Sequence, residues 1–219
     1  MKTALQVIFI SFAISLVADT TLTYTVSGEK ETKEHSVSLS VVGGENRFFT
    51  EGEKGGVEII CNQAMETIRY MVLSTEDGYS MTAELTDGGI NVDKTADGKT
   101  ESVFLEYDGS LPWYQTFNYQ FSDFALSGEK KRDFVMIRPD NLTLTEWKLI
   151  RKGVEIIETP MGEIRTVKVK VTLAGFLSAF WSAECWFRAD DGRFVKYAGP
   201  DGGPGSPDIV SVLSGEKQG

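Results

Sequence analysis

DGYSMTAELTDGGINVDKTADGKTESVFLEYDG, from Asp77 to Gly109, is the stretch that decides the fold class of this chain. Within it the dipeptide Asp-Gly recurs about every ten residues, between short segments that mix apolar and polar side chains. Glycine readily adopts the positive φ of a tight hairpin turn, and aspartate hydrogen-bonds to the turn backbone. Connections this short leave no room for the crossover helices that join parallel strands. The stretch therefore predicts consecutive antiparallel strands in a meander.

The segments outside this stretch show the two-residue alternation of strands. In Val167–Leu173 the apolar side chains share one face, whereas Lys168, Lys170 and Thr172 share the other. Phe134–Ile137 is instead continuously apolar, which predicts a strand covered on both faces. We predict an all-β fold with one or two short helices, in which a curved antiparallel meander sheet forms a half-barrel or an incomplete barrel.

The segment after the meander resembles the start of a helix. Ser110-Leu111-Pro112 offers a capping serine and a proline in the first turn. Aromatic residues then follow at helical spacing, namely Tyr114, Phe117, Phe121 and Phe124. Phe117, Tyr119 and Phe121 also alternate as in a strand, so the aromatic pattern alone leaves both interpretations open. We favour a short helix that plugs the sheet.

A second segment, Gly175–Phe180, also departs from the strand pattern. It is too apolar for an ordinary exposed loop, so we expect it to be tucked against the rest of the protein. A final short strand is expected around Ile209–Leu213, after a Gly- and Pro-rich crossing.

Residues 1–18 have the composition of an export signal. Lys2 precedes the apolar run Ala4–Leu16, and Ala18 offers a small residue for cleavage before Asp19. The run is shorter than the roughly 20 residues that a membrane-spanning helix needs. We therefore predict a signal peptide at 1–18, one half-barrel domain at 19–214, a disordered tail at 215–219, and a periplasmic or extracellular protein without a membrane span.

Charge and cysteine content narrow the choice of partners. The formal net charge of -10 repels phosphate backbones, so we expect no nucleic-acid partner. We also expect a monomer.

An exported chain is allowed to form a disulfide between its two cysteines, Cys61 and Cys185. Both lie on apolar strand faces, where buried free thiols would give the same pattern. The sequence leaves both alternatives open.

No catalytic constellation stands out. The single histidine, His35, lies in an amphipathic run and is expected on the exposed face of a strand. The tetrad Ser-Gly-Glu-Lys begins at Ser27, Ser127 and Ser214, and we interpret all three as turns. Acidic residues are abundant, but nothing selects a catalytic pair, and no spacing fits a metal site. We expect no enzyme, no cofactor and no metal.

An aromatic surplus remains in the segments that break the strand pattern. The candidate ligand-binding residues are Trp113, Tyr114, Phe117, Phe121, Trp181 and Trp186. These rings either fill the core or line an apolar cavity inside a curved sheet. The second interpretation predicts a cavity of several hundred cubic ångströms near Trp113, Phe117 and Trp181.

The second half of the chain resembles a family of exported bacterial domains. GVEIIETPMG at Gly153–Gly162, followed by the basic alternating strand from Thr166, and WFRADDGR at Trp186–Arg193 resemble the hairpins of domain-of-unknown-function family 3108. The resemblance implies a half-barrel like those of the LolA-like lipoprotein and lipid carriers, with helices on its concave side. It carries over no functional residues, and it makes a lipid or a lipoprotein the expected partner.

Three functions follow from these observations. The leading one is an exported, non-enzymatic protein that binds a hydrophobic ligand, either a lipid or an acylated partner, on its concave face. The first alternative is an assembly or interaction protein of the cell envelope with a filled core. The second alternative, and the least favoured, is a hydrolase that uses carboxylates.

Overall fold

A computed structural model describes residues 20–29, 31–52, 55–74, 78–203 and 205–219, and only the backbone at 176 and 177. The predicted signal peptide lies outside the described residues. The strands are β1 (Thr20–Ser27), β2 (Thr32–Val42), β3 (Glu45–Gly52), β4 (Gly55–Cys61), β5 (Thr67–Ser74), β6 (Tyr79–Thr86), β7 (Gly89–Ala96), β8 (Lys99–Glu106), β9 (Lys131–Arg138), β10 (Thr143–Thr159), β11 (Gly162–Leu173), β12 (Ser182–Arg188), β13 (Phe194–Pro200) and β14 (Asp208–Gln218). The α-helix α1 spans Ser122–Ser127, and 3-10 helices span Tyr119–Phe121 and Gly175–Ala179. No helix in these ranges is long and apolar enough to cross a membrane.

The fourteen strands form one antiparallel sheet. Its order is β8-β7-β6-β5-β4-β3-β2-β1-β14-β13-β12-β11-β10-β9, so the first and last strands of the chain pair at its centre. Each half of the chain runs outward from that pair as a meander. The edge strands β8 and β9 do not pair with each other, so the sheet stays open. The all-β meander predicted from the sequence is confirmed.

The Asp-Gly turns behave as the sequence predicts. Gly88 and Gly98 have φ of 81° and 71° and close the hairpins β6–β7 and β7–β8. Gly109 also has a positive φ of 73°, but it leads from β8 into the segment that fills the sheet. Asp77 lies outside the described residues.

The sheet rolls up, so that strand β9 is covered on both faces. Phe134 and Met136 belong to the large core on the concave side. Val135 and Ile137 point the other way and pack in a second core with Met81 and other residues of β6 and β7. The end of the sheet that contains β6 and β7 therefore packs against the outer face of β9, at the other end of the sheet. This overlap explains why Phe134–Ile137 is continuously apolar.

The segment 107–130 between the two edge strands fills the concave side, and we call it the plug. The Tyr114 amide donates to the Val135 carbonyl and the Val135 amide donates to the Pro112 carbonyl, both at 3.0 Å. The Trp113 carbonyl accepts a hydrogen bond of 2.8 Å from the Thr67 amide of β5. These bonds join the edge of β9 to β5 through the plug.

The short plugging helix is confirmed, but its predicted start at Ser110-Leu111-Pro112 is wrong. The backbone at 112–114 extends along β9 instead, because its amide and carbonyl groups satisfy that strand edge. Helical structure begins only at Tyr119, whose amide is capped by the Asn118 side chain at 2.8 Å.

Three other expectations are corrected. The expected disordered tail at 215–219 is strand as far as Gln218, because β14 pairs with β1 up to Thr20. The Ser-Gly-Glu-Lys tetrad at 214–217 therefore lies in a strand and not in a turn. Phe180 is 67% exposed, so the expected burial of Gly175–Phe180 is wrong for that side chain.

Candidate functional site

Part of the aromatic surplus packs between the plug and the sheet. The Phe117 ring centroid lies 5.0 Å from those of Trp147 and Trp181, and these two indoles meet edge to face, also at 5.0 Å. Such offset and perpendicular contacts are the favourable arrangements of aromatic rings. The three rings fill the volume between the plug, β10 and the start of β12.

Tyr114 and Phe121 fill the neighbouring part of the same core. Their ring centroids lie 5.6 Å apart, and each packs on Phe134 of β9, at 5.5 and 5.3 Å. Both side chains are fully buried. The plug therefore presents aromatic side chains to the sheet and not to solvent.

The two remaining candidates lie elsewhere. Trp113 is in the second core, where its indole N–H donates to Gln115 Oε1 at 2.8 Å. Trp186 lies on the convex face, between the ammonium groups of Lys168 and Lys196 at 4.8 and 4.9 Å from its ring. Its N–H donates to the carboxylate of Glu155 on the long hairpin β10–β11.

The six predicted ligand-binding residues thus do not form one wall. Four of them share the concave core, and one lies in each of the other two places. The volume expected to be a cavity near Trp113, Phe117 and Trp181 holds packed rings. A ligand-binding role for these six residues stays a prediction.

Gln120, which sequence reasoning missed, fastens the plug to the sheet. Its side chain is 0% exposed, and its Oε1 accepts from the amides of Gln115 and Thr116 at 2.8 and 2.9 Å. Its Nε2 donates to the Met65 carbonyl at 3.0 Å and to Thr67 Oγ1 at 2.9 Å. A buried glutamine with both ends satisfied holds one backbone arrangement.

The two cysteines bind the same segment from opposite walls. Both are free and buried, so the disulfide alternative is not realised. Gln120 Nε2 lies 3.4 Å from Cys61 Sγ, and Cys185 Sγ donates to the Phe117 carbonyl at 3.1 Å. Burial raises the pKa of the Cys61 thiol to about 12 and raises that of Cys185 as well. Both thiols are therefore protonated at neutral pH, and their role is in packing.

The plug leaves one end of the concave face uncovered, and we call this region the open cleft. It has a volume of about 960 Å³ and lies where β1, β3 and β5 end and β2, β4 and β14 begin. Its inner wall is formed by side chains of one sheet face, namely Val26, His35, Thr50, Val57, Val72 and Ile209. Neither Trp113 nor Phe117 lines it.

Glycines keep the backbone at this end close and unobstructed. Gly55 has φ of 149°, and a Cβ there would lie 1.7 Å from the Leu73 carbonyl oxygen. Only glycine fits, because both the backbone angle and the close approach exclude a side chain. Gly28, Gly52 and Gly56 also line the cleft.

His35 belongs to this wall, which corrects the expectation of an exposed strand residue. Its ring stacks on that of Tyr24, with centroids 5.4 Å apart and an interplanar angle of 19°. Burial lowers the pKa of His35, because a charged ring loses its hydration there. The signal for this position is its parity, since His35 alternates in register with Val37 and Leu39.

The rim of the open cleft is charged. The described carboxylates that line it are Glu29, Glu31, Glu34, Asp201 and Asp208. Lys33 lies among them and pairs with Glu31. The arrangement is an apolar wall with a polar margin, which suits an apolar ligand whose polar end stays in water.

The described residues contain no group of three or more His, Cys, Asp or Glu side chains close enough to hold a metal ion. The carboxyl groups of Glu129 and Asp140 have lowered pKa values because neighbouring arginines donate to them, and that of Asp108 is lowered by donors at Ser110. A general acid would need the opposite shift.

Comparisons with known proteins show a fold and no family. No protein-family model and no curated protein matches the sequence. Among solved structures, the chain is similar to a β-barrel-like protein of the domain of unknown function DUF1849 from Brucella abortus. The two share 7% identity with a TM-score of 0.61, over 91% of this chain and 97% of that one.

Two further likenesses are weaker. The hypothetical lipoprotein YmcC from Escherichia coli K12 matches over 91% of this chain and 89% of its own, with 8% identity and a TM-score of 0.40. A LolA superfamily protein from Nitrosomonas europaea matches over 93% and 87%, with 9% identity and a TM-score of 0.26. The fold expected from the resemblance is supported by the DUF1849 structure, whereas family 3108 itself gains no support.

Proposed function

We propose that this chain is an exported binding protein, not an enzyme, that takes an apolar ligand into the open cleft. The ligand class is a lipid or the acyl chain of a partner protein. The observation that carries the proposal is the apolar concave wall, which the plug leaves uncovered at one end of β1–β5 and β14. The periplasmic or extracellular location rests on the predicted signal peptide.

Size and lining support this proposal. Ligand pockets usually measure about 300 to 1,000 Å³, and the open cleft is within that range. Val26, Val57, Val72 and Ile209 offer an aliphatic wall, and neutral His35 stacked on Tyr24 extends it. In this proposal the plug aromatics do not touch the ligand; they hold the sheet in the curvature that keeps the cleft open.

Titration with a neutral fluorescent probe, N-phenyl-1-naphthylamine, tests the proposal. We expect saturable binding that Val72→Glu weakens at least about tenfold, because a carboxylate in the wall removes its apolar character. Met71→Glu is the matched control, since residue 71 is the next one along β5 and its exposed side chain points to the opposite face. Binding that is absent, or equal in both variants, would refute a ligand site in this cleft.

A second candidate function is an interaction or assembly protein of the cell envelope. The filled aromatic core favours it, and so does the unpaired edge strand β8, on which Phe104 is 54% exposed. A photoreactive amino acid at position 104 is expected to cross-link one discrete envelope protein in cells, whereas the same group at exposed position 154 is not. Equal or diffuse labelling at both positions would remove this candidate.

A further inference from the structure

The two edges of the sheet are treated differently. The plug covers the edge of β9 with its backbone at 112–114 and with the side chain of Gln115. At the other edge, β8 pairs with β7 over its full eight residues without a bulge, and it contains no proline. Within the described part of the chain no further strand or loop bonds to the backbone of β8. Such a straight, uncovered edge is a template for another strand.

The register shows which backbone groups of β8 face the free edge. Ala96 and Lys99 flank a two-residue turn, so they form a hydrogen-bonded pair. Every second residue of β8 from Lys99 onward therefore bonds to β7. The Tyr107 amide keeps this phase, because it donates to the Gly88 carbonyl at 3.2 Å. The residues in between direct their N–H and C=O groups to the free edge, and they are Thr100, Ser102, Phe104 and Glu106.

A shallow groove of about 730 Å³ lies beside the end of this edge, and we call it the edge groove. Phe104 and Glu106 line it from β8, and Leu144 and Glu146 line it from β10. Leu144 and Glu146 are the register partners of Ile137 and Val135, which point to the outer face of β9. The groove therefore lies over the outer face of β9 and β10, where the sheet of β6–β8 would continue if a strand were added to it.

The two faces of β8 set the side-chain pattern of such a strand. Val103 and Leu105 pack against the second core, on the side of β8 that faces β9. An added strand would direct every second side chain to that same side, onto Leu111, Val135 and Leu144. The alternate side chains would lie beside Glu106 on the outer side. The groove therefore suits a segment with an apolar residue at every second position.

The charges of the edge groove define the other positions. Its described lining residues include three carboxylates and no lysine or arginine; the carboxylates belong to Glu106, Asp108 and Glu146. Asp108 accepts a hydrogen bond from the Ser110 amide at 2.9 Å, and no cation pairs with any of the three among the described residues. These charges attract a basic segment. They disfavour a second copy of this chain, whose net charge is -10.

We infer that the edge groove binds an extended segment of a partner protein in which apolar and basic side chains alternate, as an added strand on β8. The free backbone groups of β8 hold the segment, its apolar side chains pack on Leu111 and Leu144, and its basic side chains lie near the three carboxylates. This inference rests on the second candidate function and names the chemistry of the partner. It is independent of the open cleft, because the two sites share no lining residue.

Calorimetric titration of the full chain with the peptide acetyl-Lys-Val-Lys-Val-Lys-Val-Lys-amide tests this inference. We expect saturable binding, and at least about tenfold weaker binding of the peptide with glutamate in place of every lysine. Two N-methylated forms test the strand pairing. Methyl groups on the lysine amides and on the valine amides point to opposite sides of an extended strand, so one form should lose binding and the other should keep it.

Variants of the protein test the same contacts. Ser102→Pro removes an N–H from the free edge without removing a bond to β7, and it should weaken peptide binding at least about tenfold. Ser102→Ala is its matched control, because it keeps that N–H. Glu106→Gln combined with Glu146→Gln should weaken binding about fivefold. The charge-matched control is Glu158→Gln combined with Glu163→Gln, an exposed cross-strand pair on the hairpin β10–β11.

The outcomes separate this site from the others. No peptide binding at millimolar concentration, equal binding of the two N-methylated forms, or unchanged binding in Ser102→Pro would overturn the inference. A dimer that Ser102→Pro converts to a monomer would assign the edge to a second copy and would overturn it as well. Val72→Glu should bind the peptide normally, and loss of binding in that variant would place the peptide in the open cleft instead.

Two combined results distinguish the proposals. A discrete cross-link at position 104 without peptide binding would overturn the inferred partner chemistry and leave the second candidate function standing. Peptide binding that depends on Ser102, without binding of the neutral probe, would support the edge groove and refute the ligand site in the open cleft.

Discussion

Individual polar side chains hold the plug inside the sheet. The side chain of Gln115 takes the place of a neighbouring strand at the open edge of β9. Its Nε2 donates to the Ile137 carbonyl at 3.0 Å, and its Oε1 accepts from the Ile137 amide at 3.1 Å. Gln120 holds the other side of the plug, because its side-chain amide donates to the Met65 carbonyl and to Thr67 Oγ1 at the start of β5. Glutamine spacing gives no sequence signal for either role, because such contacts depend on long-range packing.

Replacing Gln120 by alanine should destabilise the protein by about 3 kcal/mol. The substitution removes its hydrogen bonds to Met65 and Thr67 and leaves the buried amide of Gln115 without an acceptor. Urea unfolding measures the change, with Gln63→Ala as the control, because Gln63 is exposed just after β4. A loss below about 0.5 kcal/mol for Gln120→Ala would show that Gln120 does not hold the plug.

His35 should make stability depend on pH. Its pKa is lowered in the folded protein, so the folded state favours the neutral ring. The resulting stability is fully present above the pKa of about 6.5 in the unfolded chain, and it is lost as the pH falls through the folded pKa. The carboxylates of Glu31 and Glu34 share the cleft with His35.

Urea unfolding at pH 7.5 and 5.5 measures this effect. The wild type should lose more stability on acidification than His35→Gln, because only the wild type has a buried ring to protonate. An equal loss in both proteins would mean that His35 is hydrated like a surface histidine.

At the scale of elements, the plug both covers the free edge of strand β9 and contributes side chains to the core. Its backbone at 112–114 satisfies β9, and α1 then packs on the concave side through Phe124 and Ala125. The helix start predicted from Ser110-Leu111-Pro112 was wrong because capping signals are local. They contain no information about the edge of β9, which binds the backbone at 112–114 instead. The helical aromatic spacing was correct only for the part beyond Asn118.

Arg132 connects β9 to this element. Its guanidinium donates to Tyr114 Oη and Asp123 Oδ2, both at 3.0 Å, and pairs with Glu129. Its side chain is 17% exposed, compared with 48% for Arg138, which pairs with Asp140 at the end of the same strand.

Arg132→Ala should therefore cost about 2 kcal/mol, and Arg138→Ala less than about 0.5 kcal/mol, because an exposed pair is screened by solvent. Thermal or urea unfolding of the two variants measures the difference. Similar losses in both would indicate that Arg132 only forms another surface pair.

At the scale of the whole molecule, the curved, open antiparallel sheet was predictable, and the overlap of its two ends was not. Asp-Gly turns and two-residue alternation are local signals, and they predicted the meander correctly. The central β1–β14 pair joins the two halves of the sheet, and the overlap of β6–β7 on β9 joins distant segments. The continuously apolar run Phe134–Ile137 was the one sequence signal of that overlap.

The candidate site shows the same division. Composition identified an aromatic concave core, but not that its rings fill one another's space. The open cleft is lined by short aliphatic and glycine residues from six strands, which carry no distinctive motif. The parity of His35 was the one available signal for it.

Native mass spectrometry with solvent extraction tests most directly the claim that an apolar ligand occupies the open cleft. The chain should be purified from a bacterial periplasm and compared with Val72→Glu and Met71→Glu purified in the same way. We predict a co-purifying lipid or other apolar molecule with the wild type and Met71→Glu, and its loss from Val72→Glu. An apo mass for a folded wild-type chain, or an adduct retained by Val72→Glu, would contradict the claim.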